Sequence, residues 1–269
     1  MMQQAISVVN TFPSVKINSV AGLTIEVSLI AQLGHGAGDG IYQNVLERQK
    51  HHPTFVDALN EPSVKLAGVN VNQNDFTSLY SFIVGAEGHP FHRHAGHRIL
   101  TAISGSGGAQ LRFCTATDDE VNENANSFLD KLHFVHIPPD SLFTVRFAGE
   151  TWHQFIPITQ NGLHPTFIAL SCHTNELGGI NDEALKQQVI ADLASIPSLT
   201  ELLPNHVQIL IDSIDYKQRK ITTTVLSIDA PEGTLHKLMC ATVRCITGLF
   251  RGNFARLRKP VGYATKTED

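Results

Sequence analysis

Among 269 residues, 42% are apolar and only 17% carry a formal charge, a balance that supports a sizeable core and excludes disorder of the whole chain. The net charge of −5 gives no reason to expect nucleic acid as a partner. The chain has no run of 18 apolar residues, so no membrane span is expected.

The opening residues, MMQQAISVVN, lack a basic segment followed by an apolar one, so no secretory signal is expected. Alternation of Val15 and Ile17, then Leu23, Ile25, Val27 and Leu29, predicts one or two strands before residue 30. Gly34 to Gly40 reads as a loop, and residues 41–60 as a helix broken at Pro53. Residues 1–63 are thus expected to form an N-terminal extension of strands and helix, an arm or lid ahead of the main domain.

Residues 64–175 change character. Short β-branched and aromatic runs recur with turn residues between them, among them FTSLYSFIV, ILTAIS, AQLRFCTA, KLHFVHIP, LFTVRFA and TFIALSC. Evenly spaced short strands predict a sandwich or a closed barrel. The polar, acidic stretch TDDEVNENANS at 117–127 reads as a long loop.

Residues 176–269 are expected to be helical, with one strand. Asn181 or Asp182 caps a helix bearing Leu185, Val189, Ile190 and Leu193. Ser198 and Glu201 have capping-box spacing, and Leu210, Ile211 and Ile214 continue an apolar face. ITTTVLSI at 221–228 reads as a strand. A final amphipathic helix is expected from Leu235 to Leu257, with Lys237, Arg244, Arg251 and Arg258 recurring every seven residues. Gly248 and Gly252 on it favour packing within the chain or against a second copy over contact with a membrane surface.

Cys114, Cys172, Cys240 and Cys245 form no C-x-x-C pair, so no cysteine zinc site is signalled. Free thiols fit a cytoplasmic location. Histidine is the outlier, with 14 copies, and neutral imidazole is the commonest metal-ligating side chain.

The richest stretch is GHPFHRHAGHRILTAISGSGG, residues 88–108. His92 and His94 are two apart, and on a strand such residues share a face. Two imidazoles side by side can hold one divalent ion, but catalytic sites usually supply three protein ligands and keep a position open. His153, where the chain re-enters a strand after a glycine turn, is the best third candidate. His89 is expected in the approaching loop, and His133 and His136 at ordinary polar strand positions. Trp152, Gln154 and Arg112 are candidate substrate contacts from their place on barrel strands, although core packing is the commoner fate of an aromatic.

This pattern resembles the cupin superfamily. The family's first motif is a His-x-His pair, a Glu a few residues on, and a Gly seven after that Glu. Here His92-Arg93-His94 matches the pair and Gly105 the glycine. Gly149 and His153 match the Gly and His of the second motif, with Phe147-Ala148-Gly149 in place of Pro-x-Gly. The resemblance covers roughly residues 64–173. It implies a mostly β fold, the double-stranded β-helix or jelly-roll barrel, with His92, His94 and His153 holding a metal inside it.

Arg98 stands where the family's Glu ligand would be, and a guanidinium cannot ligate. His97 is the natural stand-in. Neighbouring residues on a strand face opposite sides, so only one of His97 and Arg98 points inward. His97 inward gives an all-histidine site. Arg98 inward gives a site weak in metal, or one that holds an anionic ligand beside the ion.

The function expected is a metal-dependent, dioxygenase-like oxidoreductase acting on a small organic substrate. The ion would be iron, nickel, zinc, copper or manganese. The alternative is a non-enzymatic cupin that senses a metal or ligand, and an isomerase acting by acid–base chemistry is a weaker third. The resemblance further implies a homodimer.

Overall fold

The computed structural model describes residues 12–19, 24–70 and 76–228. Seven strands lie in one sheet. They are β1 (Ser14–Ile17), β2 (Ile25–Gln32), β3 (Ser63–Asn70), β4 (Phe76–Val84), β6 (His97–Ser104), β9 (Ser141–Phe147) and β11 (Phe167–Thr174). Six lie in the other: β5 (His92–Arg93), β7 (Ala109–Cys114), β8 (Leu132–Ile137), β10 (Trp152–Pro157), β12 (Glu201–Leu202) and β13 (Thr222–Val225). The orders are β1-β2-β9-β6-β11-β4-β3 and β12-β5-β10-β7-β8-β13.

The eight strands from β4 to β11 form the centre of both sheets, β9-β6-β11-β4 against β5-β10-β7-β8, with every neighbouring pair antiparallel. That order, with the chain crossing between the sheets, is a jelly roll, the double-stranded β-helix of cupins. The fold is therefore mostly β, as expected.

Alternation decides what fills it. Along β9 the inward-facing apolar residues are Phe143, Val145 and Phe147, and along β7 Ala109, Leu111 and Phe113. These join Phe82, Leu100, Phe155 and Phe167 in one core between the sheets. A second apolar cluster lies on the outer face of the six-stranded sheet. There Phe91, Cys114 and Trp152 pack with Phe128, Leu203 and Val207.

The flanking segments are joined to the barrel. β2 pairs with β9, so the stretch read as an N-terminal extension completes the seven-stranded sheet. β12 pairs with β5 and β13 runs parallel to β8, so the C-terminal stretch adds both edges of the other. Helix α1 (Ala37–Gln49) starts inside the expected glycine loop and ends before Pro53. The expected loop at 117–127 instead holds α2 (Asp118–Glu123) and the start of α3 (Asn126–Asp130). Thr117 and Glu120 cap α2 reciprocally, a capping box that makes so polar a segment helical. Asp182 caps α4 (Glu183–Ile190) as expected. Ser198 and Glu201 form no capping box: Ser198 bonds back to Ser195 in a short 3-10 turn, and Glu201 belongs to β12. Helices α5 (Asn205–Asp212) and α6 (Ile214–Gln218) precede β13. The helix expected at 235–257, with its basic stripe, lies outside the described residues. Among the described residues, no helix is long and apolar enough to cross a membrane.

Candidate metal centre

His92 on β5 lies directly across from His153 on β10 in the sheet register. Their ring centroids are 4.4 Å apart. His94, two residues on, brings its ring to 4.8 Å from His92 and 5.4 Å from His153. One ligand-capable nitrogen from each ring lies within 4.8 Å of the other two, and all three side chains are buried.

The hydrogen bonds fix which nitrogen that is. Nδ1 of His92 faces the Pro90 carbonyl at 3.0 Å, Nδ1 of His94 the Leu199 carbonyl at 3.1 Å, and Nδ1 of His153 the Thr151 carbonyl at 2.8 Å. A carbonyl only accepts, so each Nδ1 carries the proton and each Nε2 keeps its lone pair. The Nε2 of His92 is buried with no hydrogen-bond partner among the described residues. Burial, reinforced by neighbouring rings and Arg98, pushes all three imidazoles well below their ordinary range and keeps them neutral. Three neutral rings with convergent lone pairs are a donor set suited to a divalent transition metal.

Arg98 and His97 take opposite faces of β6. Arg98 is buried and lines a small cavity with His94 and His153, while His97 is half-buried on the other side. The His97 Nδ1 accepts the Gly149 N–H at 2.9 Å, and His97 is not among the grouped histidines. Gly149 must be glycine for this approach, since a Cβ there would stand 1.9 Å from the Ala95 carbonyl oxygen.

Arg98 Nη1 donates to Glu176 at 2.9 Å, while its Nε and Nη2 have no partner among the described residues. Burial would raise the Glu176 carboxyl, but the Arg98 charge overrides it and holds the group down at about 2. His173, on β11, stands 3.3 Å from Glu176 and stacks on Tyr80 at 4.4 Å. Burial, then Arg98, brings His173 down to about 4.

Trp152, Gln154 and Arg112, expected near substrate, do not line this cavity. His153 faces inward, so its neighbours 152 and 154 face the outer side of the sheet. Trp152 packs in the outer cluster under the Arg93 guanidinium, 4.5 Å away. Arg112 bonds Gln154 at 2.7 Å and Tyr216 at 3.0 Å on that same face.

Two further buried groups stand beside the histidines: His89, expected in the approaching loop, and Glu61, which the sequence reading does not single out. His89 lies 4.5 Å from His92 by ring centroid, with an unpartnered Nε2, and burial brings it down to about 4. Glu61 stands in a turn before β3, where Leu59 and Asn60 both have left-handed backbone. Its Oε2 is 3.8 Å from the Nε2 of His92 and has no hydrogen-bond partner among the described residues. Burial, only partly opposed by Arg98, pushes Glu61 up to about 8.

The inner cavity holds about 10 Å³, enough for roughly one water. A larger cavity of about 230 Å³ lies beyond it, with Lys65, Asp192 and Leu199 among its lining residues. Glu176 and Tyr80 line the outer cavity and His173 the inner one, so these three side chains stand between the two.

Fold and cavity together define a jelly-roll protein with three histidines grouped between its sheets. No family model matches the chain, and no curated protein matches it. Among solved structures it is similar to a cupin-2 domain protein from Rhodospirillum rubrum, at 14% identity over 61% of this chain and 78% of that one, TM-score 0.32. It is also similar to oxalate oxidase in complex with the substrate analogue glycolate, at 14% identity over 45% and 53%, TM-score 0.28. A structure of the DMSP lyases RdDddP and RnDddQII gives 13% identity over 55% and 71%, TM-score 0.33.

Proposed function

We propose that the chain is a metal-dependent oxidoreductase of the dioxygenase type, with a divalent ion on His92, His94 and His153 and a small organic substrate. The observation that carries this reading is the convergence of three neutral imidazoles whose Nδ1 protons all go to backbone carbonyls. A redox-active ion there would supply electron transfer to oxygen. The residues of the chain do the rest. Phe147, Phe155 and Leu100 line the cavity and exclude water. The free Nε and Nη2 of Arg98 form a fork that suits a carboxylate or enolate, so the substrate is read as an anion. A homodimer in the cytoplasm completes the proposal.

Metal analysis of protein purified without added metal is the first test. A stoichiometric redox metal, lost in each of His92→Ala, His94→Ala and His153→Ala, is expected. Metal content unchanged in those variants overturns the site. Oxygen uptake with a panel of diketones, thiols and phenols tests the reaction, and silence across the panel with iron restored overturns it.

A second reading, a non-enzymatic metal or ligand sensor, draws on the cavity size. Space for about one water leaves little room for an organic substrate unless the wall moves. Tight zinc with no oxygen uptake is the result expected of a sensor.

A further inference from the structure

We infer that Glu61 is a fourth protein ligand of the metal, supplying from a turn ahead of β3 the carboxylate that position 98 lacks. The inference rests on the metal reading above and adds a residue to it.

Glu61 is 5% exposed, and its Oε2 has no hydrogen-bond partner among the described residues. A buried polar atom left unpaired costs on the order of 1–3 kcal/mol, and more if charged. Oε2 stands 3.8 Å from the Nε2 of His92, itself buried and unpaired. One atom that accepts lone pairs from both would satisfy the two orphans together. A proton shared between them would satisfy the same pair without a metal, so the test must separate the two.

Charge favours the metal. Arg98 is already matched by Glu176. Three neutral imidazoles bring no negative charge, so a dication on them alone would be buried uncompensated beside a guanidinium. Glu61 is the acidic residue among those lining the inner cavity. The Glu61 carboxylate is not within the 4.8 Å group of the histidines, so reaching the ion requires a movement of its side chain.

The backbone supports a dedicated placement. Consecutive left-handed residues, Leu59 at φ 56° and Asn60 at φ 57°, precede Glu61, and both are strained for side chains other than glycine. The Glu61 N–H closes the turn on the Ala58 carbonyl at 2.9 Å, and the Pro62 carbonyl then accepts the Ile83 N–H at 3.0 Å. The turn is thus pinned to β4 with the carboxylate facing the histidines.

Cobalt(II) titration of the full chain is the test, followed by visible absorption and by the melting temperature with and without cobalt. Glu61→Gln keeps size and hydrogen-bonding ability but removes the anionic ligand, and Glu61→Ala is the second variant. Both are expected to fold without metal, to bind cobalt at least about tenfold more weakly, and to show an altered d–d spectrum. Wild-type affinity and spectrum in Glu61→Gln, with His92→Ala losing cobalt, overturns the role of Glu61 and leaves the histidine site standing. No cobalt bound by the wild-type chain overturns both. If Glu61→Gln does not fold, Glu61→Ala is read by the same criteria, and unchanged binding in it overturns the inference.

Discussion

The Leu199 carbonyl accepts the Nδ1 proton of His94 at 3.1 Å, across 105 residues of chain. A segment outside the eight-stranded barrel thereby sets the tautomer of a residue at the centre of the site. Leu202 and Glu201, a few residues on, pair with His92 and Arg93.

Loosening that segment should loosen the site. Val207 is fully buried in the outer cluster with Trp152 and Phe91, so Val207→Asp places a charge in an apolar setting. The expected result is a red shift of the emission of Trp152, the sole tryptophan, and roughly a 10- to 100-fold loss of cobalt affinity. Unchanged emission and affinity would show that the docked helices and His94 are uncoupled.

Arg98 and Glu176 are each about 3% exposed and joined at 2.9 Å. Removing one partner strands a buried charge. Arg98→Leu or Glu176→Leu should each cost about 3–5 kcal/mol in urea unfolding. The double variant should cost less than the sum of the two, and additivity would show that the pair does not act as a unit.

His97→Ala should leave metal content unchanged, because its ring faces away from the other histidines. The loss of one acceptor for the Gly149 N–H should cost about 1 kcal/mol. Metal lost from this variant would return His97 to the ligand set.

Metal-free protein should lose stability on acidification. His89 and His173 titrate near 6.5 when unfolded but only at about 4 when folded, so the unfolded chain binds more protons between those limits. Their contribution is complete above pH 6.5 and is lost as pH falls through 4, by at most about 1.4 kcal/mol per pH unit for each. Glu61 runs the other way. Its folded form keeps a proton up to about pH 8, so its contribution is complete below 4.5 and fades as pH rises through 8. Urea midpoints from pH 4.5 to 8.5 should therefore peak between these limbs. Glu61→Gln should remove the alkaline decline and steepen the acid one.

The barrel was legible because its strands are short, alternate with period two, and recur at regular intervals from residue 76 to 174. The histidines were legible in the same local terms: His92 and His94 share a strand face, and His153 opens another strand. Strand parity extends the same local reasoning to the neighbours of His153. If His153 faces inward, parity turns Trp152 and Gln154 outward, and both pack on the outer face. The capping box at Thr117 and Glu120 was also readable, but the acidic run around it signals a loop.

Parity, capping and strand spacing are short-range, so residues 76 to 174 carry the jelly roll and the pairing of His92 with His94 in their own order. Whether Arg98 or His97 faces inward depended on how β6 registers against β9 and β11, which period-two alternation leaves open. Glu61 lies 31 residues before His92 and Leu199 105 after His94, and neither belongs to a spaced pattern. Barrel closure brings such positions together, and closure is a property of the packed sheets that no stretch of sequence holds alone.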